Sequence, residues 1–286
     1  MTERIPAGTR TPSLPRLIAS DMDGTFLLPN GGISEINAAA VRAAEQRGIP
    51  LVFATGRPIR WLGALAGLTG LHPIVIASNG AMRYDAAADE IRDLVAIDVA
   101  VAGEVAAELR AELPEVRFAV EFGRRFGHES GYQTWEDASG SPDIFTADLA
   151  ELLAADDPIV KLLVSSGSRS CDDLALAAAG IIGDRLTVTH SAFDDTGLLE
   201  VSGPGVSKAS MLAEYCLELG IDAVDVAAFG DMPNDLEMLT WAGRPHVMTN
   251  AHPSLRRLKA TEAGGNADSG VGRTILSWFD LPTESA

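Results

Sequence analysis

The sequence predicts an α/β fold: a Rossmann-like, doubly wound parallel sheet core with an inserted α+β cap domain. In both terminal parts of the 286-residue chain, short and almost continuously apolar runs alternate with helical stretches. This is typical of parallel strands that are buried on both faces. The middle of the chain instead combines several strands with two helices, which favours a separate α+β unit. Polar clusters follow the apolar runs directly, where an open parallel sheet binds its ligands.

The first part of the core is predicted to alternate strands and helices. Ser34 is placed as the N-cap of a helix that continues through Arg47 and ends at Gly48. A second helix is expected over 58–66. The strands are three apolar runs: 16–20, 51–54 and 74–77.

The middle of the chain begins with a predicted helix over 99–113. Within 116–122, Val and Phe alternate with Arg, Ala and Glu, so this strand is expected to be half-exposed. The stretch 123–143 is rich in Gly, Ser and Asp and is interpreted as a loop. The remaining elements are three strands and a helix: 159–164, 186–189, 198–201 and 170–182.

The parallel pattern then resumes with a helix that Ser207 caps and Gly220 ends. Its apolar side chains share one face: Met211, Leu212, Tyr215, Cys216 and Leu219. A strand over 224–229, a helix beginning at Pro233 and a strand over 245–248 complete the predicted core.

The composition excludes several classes of protein. With 47% hydrophobic and 22% charged residues the chain is globular, and two cysteines are too few for a disulfide scaffold. A formal net charge of −18 argues against nucleic acid as a partner, which needs a basic face. We expect no membrane partner and a cytoplasmic location, because no apolar run reaches 18 residues and 1–15 lacks a signal-peptide core. The sequence does not indicate which oligomeric state the protein adopts.

Four polar clusters lie at the predicted strand ends or helix starts: Asp21-Met-Asp-Gly-Thr25, Thr55-Gly-Arg57, Lys208 and Gly230-Asp-Met-Pro-Asn-Asp235. Each has an ordinary alternative reading, as a turn, an N-cap, a solvated lysine or a pair of loop acids. Their joint occurrence in this order is what indicates a site.

The residue types in these clusters predict phosphoryl-transfer chemistry. If the chain turns at Gly24, Asp21 and Asp23 can face one pocket, one as a nucleophile and the other as a proton donor and acceptor. A third acid, Asp231, completes a cluster of hard oxygen ligands that suits Mg²⁺. Mg²⁺ and Lys208 would reverse the local negative charge, so that a phosphorylated substrate can bind.

The clusters resemble, in order, the four motifs of the haloacid dehalogenase-like hydrolase superfamily. The resemblance covers nearly the whole chain. Three further segments resemble the Cof-type branch of Mg²⁺-dependent phosphatases: Asn79-Gly-Ala81, Gly205-Val-Ser-Lys208 and Asn266-x-x-x-Gly270-Val271.

The resemblance implies a role for each site residue. Asp21 would be the nucleophile that forms an aspartyl-phosphate, and Asp23 would protonate the leaving group and then activate water. The residues implied in phosphate binding are Thr55, Gly56, Lys208 and Asn234. Those implied in binding Mg²⁺ are Asp21, Asp23 through its backbone carbonyl, and Asp231. The supporting residues are Asp235, Arg57 and Asn79.

The spacing of the motifs places the inserted domain. Asp21 and Thr55 are too close in sequence for a domain between them, whereas the stretch from Thr55 to Lys208 has room for one. This is the C2-type position of the Cof-type branch, and it argues against the phosphoglucomutase-like branch. We therefore assign 1–85 and 196–286 to the catalytic core and 86–195 to the cap.

The expected function is hydrolysis of a phosphomonoester of a small metabolite. A sugar phosphate is the first expectation, followed by a nucleotide or pyridoxal phosphate, with 123–143 as the specificity loop of the cap. A phosphomutase is an alternative that the cap position disfavours. A non-catalytic phospholigand-binding protein is another, disfavoured because Asp21, Asp23, Lys208 and Asp231 are all present.

Overall fold

The computed structural model describes residues 14–68, 71, 73–133, 143–190 and 197–283. The strands, numbered in chain order, are Leu17–Ser20 (β1), Leu51–Ala54 (β2), Ile74–Ala77 (β3), Met82–Asp85 (β4), Glu90–Leu94 (β5), Arg117–Glu121 (β6), Phe126–His128 (β7), Ile144–Thr146 (β8), Lys161–Ser166 (β9), Thr187–Thr189 (β10), Gly197–Ser202 (β11), Val226–Gly230 (β12), Arg244–Met248 (β13) and Thr261–Ala263 (β14). The α-helices are Glu35–Glu45 (α1), Val99–Glu112 (α2), Leu149–Leu153 (α3), Cys171–Ile182 (α4), Lys208–Glu218 (α5), Leu236–Trp241 (α6) and Gly270–Trp278 (α7).

The core sheet has eight strands in the order β14-β13-β12-β1-β2-β3-β4-β5. The six strands from β14 to β3 are parallel, and β4 and β5 form an antiparallel hairpin at one edge. The central strand β1 shows why the runs are continuously apolar. Ile18 points to the cluster that includes α1 and α7, while Leu17 and Ala19 point to the cluster that includes α5 and α6. Helices cover both faces, and this confirms the predicted doubly wound core.

The second sheet belongs to the cap and has the order β10-β11-β9-β6-β7-β8. One of its faces packs on α2 and α4 through side chains such as Phe118, Leu162 and Leu199. The other face turns toward the core. The predicted half-exposed strand is therefore wrong: Ala119 and Glu121, on the face expected in solvent, are buried.

Three further differences concern single elements or residues. The stretch 123–143 was expected to be a loop, but Phe126–His128 forms β7, while 134–142 lies outside the described residues. The helix expected from 58 is a 3₁₀ helix over Ile59–Gly67. Leu219, assigned to the apolar face of α5, is exposed.

The pairing of two strands places the domain borders elsewhere than the predicted positions 85/86 and 195/196. Strand β5 pairs within the core sheet and β11 pairs within the cap sheet. We propose that the cap extends from about 97 to 202. Within the described ranges, no helix combines the length and the apolar character that crossing a bilayer requires.

Candidate active site

The site forms where three adjacent core strands end. Asp21 follows β1, Thr55 follows β2 and Asp231 follows β12, and these strands are neighbours in the sheet. The carboxyl ends of parallel strands meet at one edge, so segments far apart in sequence converge there.

The turn after β1 brings the first and last clusters into contact. Gly24 has φ +75°, and a Cβ atom at this position would lie 2.2 Å from Asp231 Oδ2. The next residue, Thr25, donates its hydroxyl to Asp231 Oδ1 at 2.6 Å. A glycine is required here both for the backbone conformation and for the close approach of Asp231.

Lys208 holds two carboxylates at once. It is the first residue of α5 and is buried, and its Nζ donates to Asp21 Oδ1 at 2.6 Å and to Asp235 Oδ1 at 2.7 Å. Burial by itself would lower the pKa of Lys208, but the attraction of Asp21 and Asp235 outweighs it and raises that pKa. The lysine is therefore a fixed positive charge in the site.

Three carboxylates surround a small space beside this lysine. Oxygen atoms of Asp21, Asp231 and Asp235 lie within 4.8 Å of one another. Burial is the main cause that raises the pKa of Asp21 well above its ordinary value, against the attraction of Lys208. Burial, followed by repulsion from Asp235, raises the pKa of Asp231 to about 7. Such a cluster favours a bound cation.

The hydrogen bonds decide which of these oxygens a metal could use. Asp235 uses Oδ1 for Lys208, and its Oδ2 accepts the backbone N–H groups of Asp231 and Met232, both at 2.9 Å. Its carboxylate therefore supports the loop. Asp21 Oδ1 accepts from Lys208 and keeps a second lone pair for a metal, and Oδ2 is left for a phosphorus atom. This hard-oxygen set fits Mg²⁺.

Thr55 is buried and belongs to a tightly bonded turn after β2. Its Oγ1 accepts the backbone N–H of Arg57 at 3.1 Å, and its own N–H donates to Ile76 O at 2.8 Å. No acceptor among the described residues takes the Thr55 hydroxyl proton, so this proton is available to a ligand in the adjacent cavity.

Asp23 is the most exposed of the four acids, with 57% of its side chain accessible. Arg57 binds it with two hydrogen bonds of 2.6 Å and also donates to Trp61 O at 2.9 Å. The hydrogen bond to Asp23 raises the pKa of Arg57. Asp23 is thus oriented at the mouth of the site.

Two asparagines connect the core loops to the cap. Asn234 Nδ2 donates to Asn79 Oδ1 at 3.0 Å, and Asn79 Nδ2 donates to Glu200 Oε2 at 3.1 Å and to Thr189 Oγ1 at 3.0 Å. Asn234 Oδ1 is buried and has no hydrogen-bond partner among the described residues. An orphan acceptor beside the acid cluster is consistent with a ligand or metal-bound water there.

A cavity of about 270 Å³ lies between the core edge and the inner face of the cap. The site residues Asp21, Asp23, Thr55 and Arg57 line its core side. Most of its other lining residues carry no motif and were not predicted from the sequence. They are Arg60 and Trp61 of the core, and Glu121, Phe126, Tyr132, Lys161, Leu163, Leu198 and Glu200 of the cap.

A signal for two of these missed residues is visible in the sequence. Lys161 and Glu200 are single charges inside apolar strands, and Lys161 is one of only three lysines in the chain. A charge on a strand that is otherwise apolar indicates either an edge or a polar partner on the facing domain. Phe126 and Tyr132 do lie within the stretch that was expected to set specificity.

The sequence profile of the haloacid dehalogenase-like hydrolases matches residues 18–275. The chain belongs to this family. The Cof-type assignment made from the motifs is also confirmed, and the chain is a phosphatase. It is 30% identical over 275 residues to the HMP-PP phosphatase of Cronobacter sakazakii, a match that covers 93% of this chain and 97% of the relative. The HMP-PP phosphatase of Escherichia coli K12 is 28% identical over 294 residues, with the same coverages.

Solved structures of this superfamily share the fold. A phosphatase from Bacteroides thetaiotaomicron superposes with a TM-score of 0.78 at 21% identity, covering 96% of this chain and 99% of that one. A subclass IIB sugar phosphatase gives a TM-score of 0.78 at 18% identity, covering 93% and 100%. The core and the inserted cap are therefore arranged as in these haloacid dehalogenase-like phosphatases.

Proposed function

We propose that this phosphatase is a Mg²⁺-dependent phosphomonoester hydrolase that acts on a small phosphorylated metabolite through an aspartyl-phosphate. The observation that supports this most directly is the buried contact of Lys208 with Asp21, which lies beside Asp231 and lines the cavity. It combines an oriented carboxylate, a fixed cation and a hard-oxygen cluster in one place.

In the proposed first step, Asp21 Oδ2 attacks phosphorus, and the bond from phosphorus to the leaving oxygen breaks. Lys208 holds the other carboxylate oxygen, which keeps Asp21 in one orientation. Thr55 donates its hydroxyl to a phosphoryl oxygen. Mg²⁺, held by Asp21, Asp231 and the Asp23 carbonyl, would neutralise charge on the phosphoryl group.

Asp23 is proposed to handle the protons. It turns from Arg57 to the leaving oxygen and gives up its proton as the alcohol departs. As a carboxylate it then takes a proton from the water that attacks phosphorus, which releases inorganic phosphate and restores Asp21. Its exposed side chain has the freedom that two successive contacts require.

The cavity limits the size of the leaving group. A volume of about 270 Å³ is at the small end for ligand pockets. Apolar side chains such as Phe126, Leu163 and Leu198 line one wall, and the Arg60–Glu121 pair offers polar contacts. A sugar phosphate remains our first candidate, and the substrate named for the HMP-PP phosphatases is the second.

Turnover of p-nitrophenyl phosphate with Mg²⁺ tests the activity, and release of phosphate from a panel tests the substrate. The panel contains sugar phosphates, nucleotides, pyridoxal phosphate and HMP-PP. We expect hydrolysis of p-nitrophenyl phosphate and a preference for one member of the panel. Binding of inorganic phosphate without turnover of any ester would instead support a phospholigand-binding protein.

A further inference from the structure

A buried ion pair on the inner face of the cap touches the core loop 55–57, which is the phosphate loop of the proposed function. Lys161 on β9 donates its Nζ to Glu200 Oε1 on β11 at 2.5 Å. The two side chains are only 2% and 7% exposed. Neither residue belongs to the motifs of the proposed reaction.

Each member of the pair makes a second hydrogen bond, and both of these cross to the core. Lys161 Nζ donates to the backbone carbonyl of Gly56 at 2.8 Å. Glu200 Oε2 accepts from Asn79 Nδ2 at 3.1 Å. A Cβ atom on Gly56 would lie 3.2 Å from Asn79 Oδ1 and 3.3 Å from Glu200 Oε1, so the loop packs closely on the pair.

Two polar groups of the core help to offset the desolvation cost of burying this pair. A buried ion pair offsets its desolvation cost only when its remaining donors and acceptors are also satisfied. Here the Gly56 carbonyl and the Asn79 amide supply those contacts. These two contacts therefore exist only when the cap is seated on the core.

The contact at Gly56 is transmitted to Thr55 through one peptide plane. The Gly56 carbonyl and the Arg57 N–H belong to the same planar unit, so orienting one orients the other. The Arg57 N–H donates to Thr55 Oγ1 at 3.1 Å. This hydrogen bond occupies one lone pair of the Thr55 oxygen and therefore restricts the directions in which the O–H group can point.

We propose that Lys161 is a positioning residue, whose ammonium group orients the Gly56–Arg57 peptide and thereby the Thr55 hydroxyl when the cap is seated. This inference rests on the proposed function, in which Thr55 binds the phosphoryl group. Under this proposal, the Thr55 hydroxyl takes its binding orientation only when the cap is seated on the core.

Lys161→Met tests the proposal, and Glu200→Gln is its matched control. Both substitutions break the same buried ion pair, but only Lys161→Met removes the donor to Gly56. We expect kcat/KM for p-nitrophenyl phosphate to fall about 10–100-fold in Lys161→Met, because small misplacements cost rates of this order. The loss in Glu200→Gln should be several-fold smaller.

A double-mutant cycle with Thr55→Val separates positioning from an independent role. If Lys161 acts through the Thr55 hydroxyl, Lys161→Met should cost less than about threefold in the Thr55→Val background. An equal loss in both backgrounds, or equal losses in Lys161→Met and Glu200→Gln, would overturn the proposal. Should Lys161→Met fail to fold, Lys161→Gln replaces it, because the glutamine side chain stays polar but is neutral and one bond shorter than lysine.

The same variants distinguish this proposal from failure of the proposed function. If the wild type hydrolyses no phosphate ester, the proposed function fails, and calorimetric titration with inorganic phosphate decides the role of Lys161. Weaker binding to Lys161→Met than to Glu200→Gln supports it. Equal binding to both variants contradicts it.

Discussion

Lys208 and Asp21 lie 187 positions apart in sequence and are joined by a hydrogen bond of 2.6 Å. The same ammonium group holds Asp235, which in turn binds the backbone N–H of Asp231. The first strand end, the start of α5 and the last acidic loop are therefore one hydrogen-bonded unit. A change in any of these residues is expected to move the others.

Asp21→Asn should abolish turnover and leave the fold intact. The amide has nearly the shape of the carboxylate and can still accept from Lys208, but it is a poor nucleophile. We expect kcat to fall on the order of 10³-fold or more. The measurement is phosphate release, with circular dichroism as the control for folding and mass spectrometry to exclude deamidation. Activity within tenfold of wild type would contradict the covalent mechanism.

Removal of divalent metal should remove activity. EDTA is expected to abolish turnover, Mg²⁺ to restore it and Ca²⁺ to fail, because Ca²⁺ takes more oxygen ligands at longer distances. The longer distances would misalign Asp21 with phosphorus. Turnover at several concentrations of each metal after chelation is the measurement. Equal rates with Ca²⁺ and Mg²⁺, or no effect of EDTA, would exclude the proposed metal site.

Asp23→Asn should act according to the leaving group. A sugar alkoxide needs a proton to depart, whereas p-nitrophenolate needs little help. Acid catalysis is worth about 10²–10⁴-fold. Single-turnover phosphorylation should therefore fall strongly for alkyl phosphates and weakly for p-nitrophenyl phosphate. Dephosphorylation should slow for both, which gives a burst with p-nitrophenyl phosphate. An equal fall in phosphorylation with both substrates would show that Asp23 is not the acid.

Gly24→Ala should weaken metal binding, and Gly31→Ala is its matched control. Both glycines have positive φ, +75° and +79°, so alanine costs about 1–2 kcal/mol of backbone strain at each. Only at Gly24 would the added Cβ also displace Asp231, since nothing lies within 4 Å at Gly31. The Mg²⁺ concentration for half-maximal activity should rise in Gly24→Ala alone. Equal Mg²⁺ requirements in the two variants would refute this.

His246 should make the fold sensitive to mild acid. It is buried and stacks on Phe229 with ring centroids 4.6 Å apart, and burial lowers its pKa to about 4. The unfolded chain, with an ordinary pKa of 6.5, binds the proton more tightly. The stability is therefore complete above pH 6.5 and is lost as the pH falls toward 4.

His246→Phe isolates this contribution and keeps the ring. Between pH 7 and pH 5, the free energy of unfolding in urea should fall by about 2 kcal/mol more in wild type than in the variant. The carboxylates are the same in both proteins, so their titration cancels in the difference. Identical pH dependence in the two proteins would show that His246 does not control it.

Local sequence signals determined the framework of the site. The apolar runs predicted β1, β2 and β3 because both faces of each strand are covered, and Ser34 and Ser207 were correctly placed as N-caps. The polar clusters were placed at strand ends for a reason that needs no tertiary detail. In a parallel sheet, all carboxyl ends lie at one edge.

The tertiary structure alone decided which face of the cap sheet meets the core. The alternation in β6 was correctly recognised, but its Glu121 side is buried because it faces the core and pairs with Arg60. Likewise, Lys161 meets the Gly56 carbonyl across 105 positions of sequence. The alternation of residue types along a strand shows which side chains share a face. What each face contacts depends on segments distant in sequence, which only the folded chain brings together.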